Sequence, residues 1–372
     1  MIITIDCRWL DASGVGVYLR ECLPFFLESG HSFFLLGSAE KIATVVSEKK
    51  NAAILHCRIK PFSIAELLAF PRSLIKKINT SDLYYSPYFN IPGFIKIPVF
   101  TTIHDIVFPD MPELSLRPGL AARMWFYRRA FNHSRKIFTV SEFSKFRIEH
   151  YSHNKVPVIV THSAIQPHLL KPGTERNRAG KKKIILYIGN IKKHKGLSIL
   201  LDAFFLARKQ GLDYRLVIAG SRENFRSKDS NLLFTSFPGK EDAVEFTGFL
   251  PNEQLIKVLE EASLLVQPSL YEGFCLPPLE ALVSGTPALI SDIPVLKEIY
   301  YENPIKILGR ELPVHWFKAG DAIDLKEKII SLLHSKNPEP VKKDPEMENL
   351  YTFKKTSRVI LETLCKQGNL EE

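Results

Sequence analysis

The residues able to do chemistry cluster where apolar runs give way to turns. Residues 264–268 form an apolar run of strand length, and 269–275 are turn-rich without a period. Residues 277–283 have helical spacing, with Pro277 and Pro278 in a first turn that needs no backbone N–H. Gly285 is a stop signal, and 286–290 read as the next strand. One carboxylate, Glu272, therefore falls in a loop, and a second, Glu280, in a first helical turn. In an open parallel sheet, ligands bind beyond the carboxyl ends of the strands. Helix N-termini there offer unpaired N–H groups that suit phosphate. A carboxylate in that place repels phosphate but accepts hydrogen bonds from sugar hydroxyls. Glu272 and Glu280 could thus grip polyols on either side of a phosphate. The plainer alternative has Glu280 complementing the helix dipole and Glu272 on the surface.

Other groups occupy equivalent places. Lys192, Lys193, His194 and Lys195 lie between a strand at 184–188 and a helix at 197–209. Fixed cations beside a helix N-terminus can neutralise a diphosphate. A solvated lysine run is the alternative. His104, followed by Asp105, closes a strand at 99–103, where a histidine is more often structural. Gly14 and Gly16 sit in a turn-rich loop, 11–16, between a strand at 2–6 and a helix at 17–27. A dinucleotide loop needs a third glycine, and Leu19 stands there instead.

Length and composition restrict the classes. The chain has 372 residues, enough for two domains, with 45% hydrophobic and 24% charged residues. No apolar run reaches the ~18 residues of a membrane span, and the N-terminus lacks a signal-peptide pattern. The five cysteines are scattered and lack metal-ligand spacing. A cytoplasmic chain without disulfides or a bound metal is expected. The net charge of +10 favours anionic partners without choosing among them. Nucleic-acid signatures are absent, which makes nucleic acid an unlikely partner. Residues 117–136 are basic and aromatic, with helical periodicity over 120–132. That segment reads either as a crossover helix or as a helix for an anionic membrane surface.

Alternating strands and helices predict a parallel α/β architecture. The expected organisation is a first domain over 1–168, a polar linker over 169–183 and a second domain over 184–349. A final helix, within 350–372, is assigned to the first domain.

The run Glu272-Gly-Phe274-Cys275-Leu276-Pro277-Pro-Leu-Glu280-Ala281, with Gly285-Thr-Pro287 behind it, resembles the EGFGLPxLEA…GxP signature of family 4 glycosyltransferases. His104-Asp105, His194-Lys195-Gly196, Gly248-Phe249, Glu298 and Tyr351-Thr-Phe353 resemble further elements of that family. The resemblance implies a GT-B fold, two Rossmann-like domains facing a central cleft. It implies a retaining, metal-independent transferase using a nucleotide-diphospho-sugar, with no permanently bound cofactor. Glu280 would hold the ribose, Lys195 the diphosphate and Glu272 the sugar, with His104 reaching the sugar from the first domain. Gly14, Gly16, Phe249, Phe274, Cys275 and Leu276 would line the donor. The family has Arg-Lys-Gly where this chain has His194-Lys195-Gly196, so Lys192 or His194 would supply the missing cation. The His-Lys-Gly form and the His-Asp pair lean towards mannosyl members and GDP-mannose. The acceptor would be a saccharide or a lipid-linked saccharide, received peripherally at the membrane. Rival readings are a nucleotide-sugar epimerase of the same fold and a polyanion-binding protein without activity.

Overall fold

The computed structural model describes residues 1–10, 13–46, 51–170, 181–220, 243–334, 341 and 344–368. Most of the expected linker and the polar segment 221–240 lie outside the described residues. The chain forms two compact units, Met1–Ala164 with Tyr351–Glu372, and Ile165–Leu350.

The first unit is built on a seven-stranded sheet, ordered β3-β2-β1-β4-β5-β6-β7. Its strands are β1 Ile2–Asp6, β2 Ser32–Gly37, β3 Ala52–His56, β4 Leu83–Ser86, β5 Val99–Thr102, β6 Ser134–Thr139 and β7 Val158–Val160. All pairings are parallel, for example Ile5 with Leu35 and Tyr85 with Phe100. The second unit holds a six-stranded parallel sheet, ordered β10-β9-β8-β11-β12-β13. These are β8 Lys182–Ile188, β9 Arg215–Ala219, β10 Val244–Gly248, β11 Ala262–Gln267, β12 Ala288–Ser291 and β13 Val314–Phe317. The central strands β4 and β11 are buried throughout, as expected of parallel strands covered on both faces. Both units are Rossmann-like.

The first helix begins at Ser13, so Gly14 and Gly16 occupy its first turn and not the loop that the sequence suggested. Gly16 has a steric reason to be there. A Cβ at this position would lie 2.6 Å from the Leu10 carbonyl oxygen and 2.8 Å from that of Trp9. Glycine lets the helix start hard against the turn that leaves β1. The last helix, Phe353–Gly368, packs on this first helix and belongs to the first unit. Its Thr356 hydroxyl donates to the Thr161 carbonyl (3.0 Å), and Phe353 meets the Tyr18 ring edge-on at 6.1 Å.

A buried ionic cluster lies at the carboxyl ends of β1 and β4. The Arg8 guanidinium donates to both oxygens of Asp6 (2.8 and 2.6 Å) and to Glu66 (2.6 Å). Asn90 donates to Asp6 (3.0 Å) and Glu66 (2.8 Å), and the Tyr84 hydroxyl donates to Asp6 (2.8 Å). Both carboxylate side chains are 0% exposed and Arg8 is 3% exposed. Burial pushes Asp6 upward, but Arg8 with Tyr84 and Asn90 brings its pKa below the usual value. At Glu66 burial prevails and the pKa is raised. Such clusters stabilise little relative to apolar packing, yet breaking one is costly. Arg8→Ala, which strands two buried carboxylates, is expected to destabilise the chain by about 3–5 kcal/mol. Urea unfolding of the variant against the parent measures it; a loss no larger than that of a surface substitution contradicts the account.

Candidate active site

In the second unit β8 and β11 are neighbours, and the loops that leave their carboxyl ends interlock. Lys193–Lys195 make one 3-10 turn after β8. Gly196 follows at φ +67°, and the Leu197–Lys209 helix starts there. A Cβ on Gly196 would stand 1.9 Å from the Pro268 carbonyl oxygen, so only glycine fits. The His194 carbonyl accepts hydrogen bonds from the backbone N–H groups of Leu270 (2.8 Å) and Tyr271 (3.4 Å). The lysine turn is thus tied to the loop that carries Glu272.

Across this junction Lys195 Nζ meets Glu272 Oε2 at 2.5 Å, with the side chains 22% and 7% exposed. The other carboxylate oxygen accepts from Ser269 Oγ (2.7 Å), whose oxygen accepts from Gln267 Nε2 (3.0 Å). Ser291 Oγ donates to the Ser269 carbonyl (2.5 Å) and fixes the loop from β12. Burial works to raise the Glu272 pKa; the Lys195 ammonium and the Ser269 bond reverse it, and the group stays ionised. His194 is buried, and burial with the nearby Lys195 and Lys192 charges pushes its pKa down to about 4. It is uncharged at neutral pH and supplies no cation, whereas Lys192 in the same turn is exposed.

The Glu272 loop continues into the Pro277–Val283 helix. Cys275 stands where the family signature has glycine and takes the left-handed conformation, φ +73°. A non-glycine residue in that region is uncommon and strained. Its carbonyl accepts from the Tyr300 hydroxyl, which also accepts the Leu279 N–H at 3.3 Å. The side chains of Phe274 and Cys275 are buried, 4% and 8% exposed, so these residues present backbone rather than side chain; Leu276 is half-buried. Glu280 lies in the first turn of the helix, 5% exposed, with its pKa raised by burial to about 7 despite a hydrogen bond from Gln166. Phe249, after the edge strand β10, is 84% exposed and lies two strands from β8. Glu298 is buried in the turn of helix just before Tyr300.

In the first unit His104 follows β5. Its Nε2 lies 3.0 Å from the Pro87 carbonyl, which can only accept, so Nε2 carries the proton. Burial lowers the pKa, so the ring is neutral and Nδ1 remains an acceptor for a hydroxyl. Tyr18 braces the ring edge-on at 4.8 Å.

Lys195, Glu272 and the Lys192 turn form one constellation, and Phe274, Cys275, Leu276 and Glu280 continue from it along the chain. His104, Gly14 and Gly16 belong to the other unit, and Phe249 is set apart at the sheet edge. Ser269, Tyr300 and Gln166 were not anticipated. Ser269 had a local signal, three residues before Glu272; the other two reach their partners across the sequence and had none.

Residues 174–348 match the family described as Glycosyl transferases group 1, and residues 12–168 match Glycosyltransferase Family 4. The chain belongs to the family 4 glycosyltransferases. It is 27% identical over 228 residues to the O-antigen chain mannosyltransferase B of Escherichia coli, covering 58% of each chain. The chain spans less than two thirds of the length of the curated relatives it matches. Among solved structures, Anabaena HepE in complex with UDP-glucose aligns with a TM-score of 0.71 at 15% identity, covering 98% of this chain and 100% of that one. Sucrose-phosphate synthase from Thermosynechococcus elongatus aligns with a TM-score of 0.71 at 16% identity, covering 99% and 98%. These glycosyltransferase neighbours make the fold GT-B.

The raised Glu280 pKa has a signed consequence. The folded chain holds a proton that the unfolded chain releases near 4.5, so stability falls as pH rises from there towards about 7. Glu280→Gln removes this penalty. The variant is expected to be more stable than the parent at pH 8, by up to about 3 kcal/mol, and equal to it near pH 4. Thermal melts at both pH values check this; a variant less stable at pH 8 contradicts it.

Proposed function

We propose that the chain is a retaining hexosyltransferase that takes its sugar, mannose in the first instance, from a nucleotide-diphospho-sugar. It delivers that sugar to a saccharide or lipid-linked saccharide, without a metal. The observation that carries the reading is the Lys195–Glu272 pair, preset at 2.5 Å at the carboxyl ends of adjacent strands. A donor brings one group suited to each member: a diphosphate for the ammonium and sugar hydroxyls for the carboxylate. Similarity to a mannosyltransferase supports mannose, and similarity in fold to a UDP-glucose complex supports a nucleotide sugar.

In the free chain Lys195 is neutralised by Glu272. When a diphosphate arrives, Lys195 exchanges its carboxylate for phosphate, and Glu272, still held by Ser269, turns its freed oxygen to a sugar hydroxyl. As the sugar–phosphate bond breaks, negative charge gathers on the departing oxygen. Lys195 and the N–H groups opening the Leu197–Lys209 helix stabilise that charge more in the transition state than in the ground state. The acceptor hydroxyl oxygen bonds to the anomeric carbon on the face that the phosphate leaves, and the phosphate takes its proton, so configuration is retained. Glu280 accepts the ribose hydroxyls when ionised, so nucleotide affinity falls as pH drops below about 7.

The test is a nucleotide-sugar panel, GDP-mannose first, read by thermal stabilisation and by transfer with and without EDTA. Stabilisation and EDTA-resistant transfer are expected. Lys195→Ala should lower turnover on the order of a hundredfold, as for loss of one preorganised transition-state contact. Unchanged turnover in Lys195→Ala, or no response to any nucleotide sugar, overturns the reading.

A membrane-borne acceptor has its own support. The 117–136 segment forms one helix, Arg117–His133, and its strand continuation. Phe131 and Tyr127 are buried, Phe126 packs on Phe62 at 4.8 Å, and Arg129 donates to the carbonyls of Ile91 and Pro92. Its exposed groups include Arg117, Trp125 and Arg128, with Leu116 just before it. Nearby, exposed Ile64, Leu68 and Phe94 extend the apolar surface. No helix among the described residues is long and apolar enough to cross a membrane. Co-sedimentation with anionic vesicles, lost in high salt and in Arg117→Glu/Arg128→Glu, is expected. Equal recovery in the supernatant with anionic and neutral vesicles leaves a soluble acceptor.

A further inference from the structure

The ionic cluster of the first unit carries an aromatic surface that, His104 apart, the donor chemistry does not use. Trp9 leaves β1, Tyr88 leaves β4 and His104 leaves β5, three strands adjacent in the sheet. Phe62 reaches the same place from the segment after β3. Trp9 meets Tyr88 edge-on at 4.7 Å and Phe62 at 5.6 Å; Phe62 meets Tyr88 at 5.6 Å, and Tyr88 lies 6.3 Å from the His104 ring.

Two features distinguish this group from ordinary core. The rings beneath it, Phe89 and Tyr127, are buried, whereas Trp9, Phe62, Tyr88 and His104 all keep part of their surface exposed. The group is also held at an energetic cost. Trp9 Nε1 donates to Asn90 Oδ1 (2.6 Å), and Asn90 is anchored on Asp6 and Glu66 of the buried cluster. Phe62, a non-glycine residue, sits at φ +61°, with its N–H donated to Glu66 (2.6 Å). Buried charges and left-handed backbone persist where the surroundings fix a geometry, and sites of function are where they gather.

We propose that Trp9 and Tyr88, with Phe62 behind them, form the acceptor-sugar subsite, and that the acceptor residue bound there is a pyranose stacked by its apolar C–H face. This rests on the glycosyltransferase reading and names the acceptor class for it. Small-molecule sites pair apolar and aromatic walls with a few placed polar groups. Here His104 Nδ1 and the Tyr88 hydroxyl would meet sugar hydroxyls, the two rings lying 6.3 Å apart. Asp105 and Arg123 are the charges that act on that hydroxyl. Trp9 is a binding residue; Arg8, Asn90 and Glu66 are positioning residues that act through it. The Gly16 approach to the Trp9 carbonyl belongs to the same arrangement.

The test uses methyl α-D-mannopyranoside and an α-linked mannobiose as probes, by saturation-transfer NMR on the full chain. Contact through the pyranose ring protons is expected in the parent. Trp9→Ala should abolish it and raise the acceptor KM about tenfold, the scale of one aromatic contact. Tyr88→Leu should weaken it, while Trp9→Phe, which keeps a ring but loses the Asn90 bond, should fall between. Cooperative thermal melts, together with nucleotide-sugar binding at the parental level, show that all three fold. If the parent transfers sugar and the folded Trp9→Ala and Tyr88→Leu variants keep the parental acceptor KM, the subsite is wrong while the glycosyltransferase reading stands. If the parent binds no nucleotide sugar, that reading itself fails. Saturation confined to the aglycone methyl group, with none on the ring, also overturns the proposal.

Discussion

The ion pair between Lys195 and Glu272 is the contact around which the loops of the second unit are arranged. Two opposite charges held 2.5 Å apart and largely away from water need further hydrogen bonds close by. That requirement explains the surroundings. Ser269 occupies the second carboxylate oxygen, Ser291 fixes the Ser269 backbone, and the His194 carbonyl takes two N–H groups from the Glu272 loop. Gly196 exists because the two loops approach too closely for a side chain. Neutral His194 belongs to the same logic, since a third cation packed inside would compete for one carboxylate.

The first unit solves a similar problem differently. Its buried charges number two acids to one base, and no part of that cluster faces a ligand directly. The residues it steadies are aromatic and half-exposed. One unit therefore keeps a partly exposed ion pair in its loops, and the other keeps its ions one layer below an aromatic surface.

Much of this was legible in the sequence where burial is complete. The strands expected at 2–6, 99–103, 184–188, 264–268 and 286–290 correspond to β1, β5, β8, β11 and β12, each within two residues. β3 and β13 are sheet-edge strands with little buried surface, β3 having no buried residue and β13 only Phe317, so no apolar run marks them. The loop at 11–16 was misread because two glycines suggested a turn, whereas Gly16 answers to a close contact inside a helix. The Glu272–Glu280 spacing was visible because it is local. The Arg8 cluster was invisible because Asp6, Glu66 and Asn90 come together only through strand order. Cys275 in place of a signature glycine could be seen, but not that the backbone would keep glycine's conformation.

The path of the chain between the units has a consequence for how the protein is made. The helix Phe353–Gly368 covers the Ser13–Leu27 helix, and Phe353 lies against Tyr18, which braces His104. On the ribosome the second unit emerges before that cover does. The amino-terminal unit must therefore wait, with an apolar helix face open, until the whole of its neighbour has been translated. Domains usually fold in order of synthesis; here the first to appear is the last to be finished. A prematurely released chain would keep the lysine–glutamate pair and lack the contact of Phe353 with Tyr18, and its uncovered helix would mark it for chaperones or proteases.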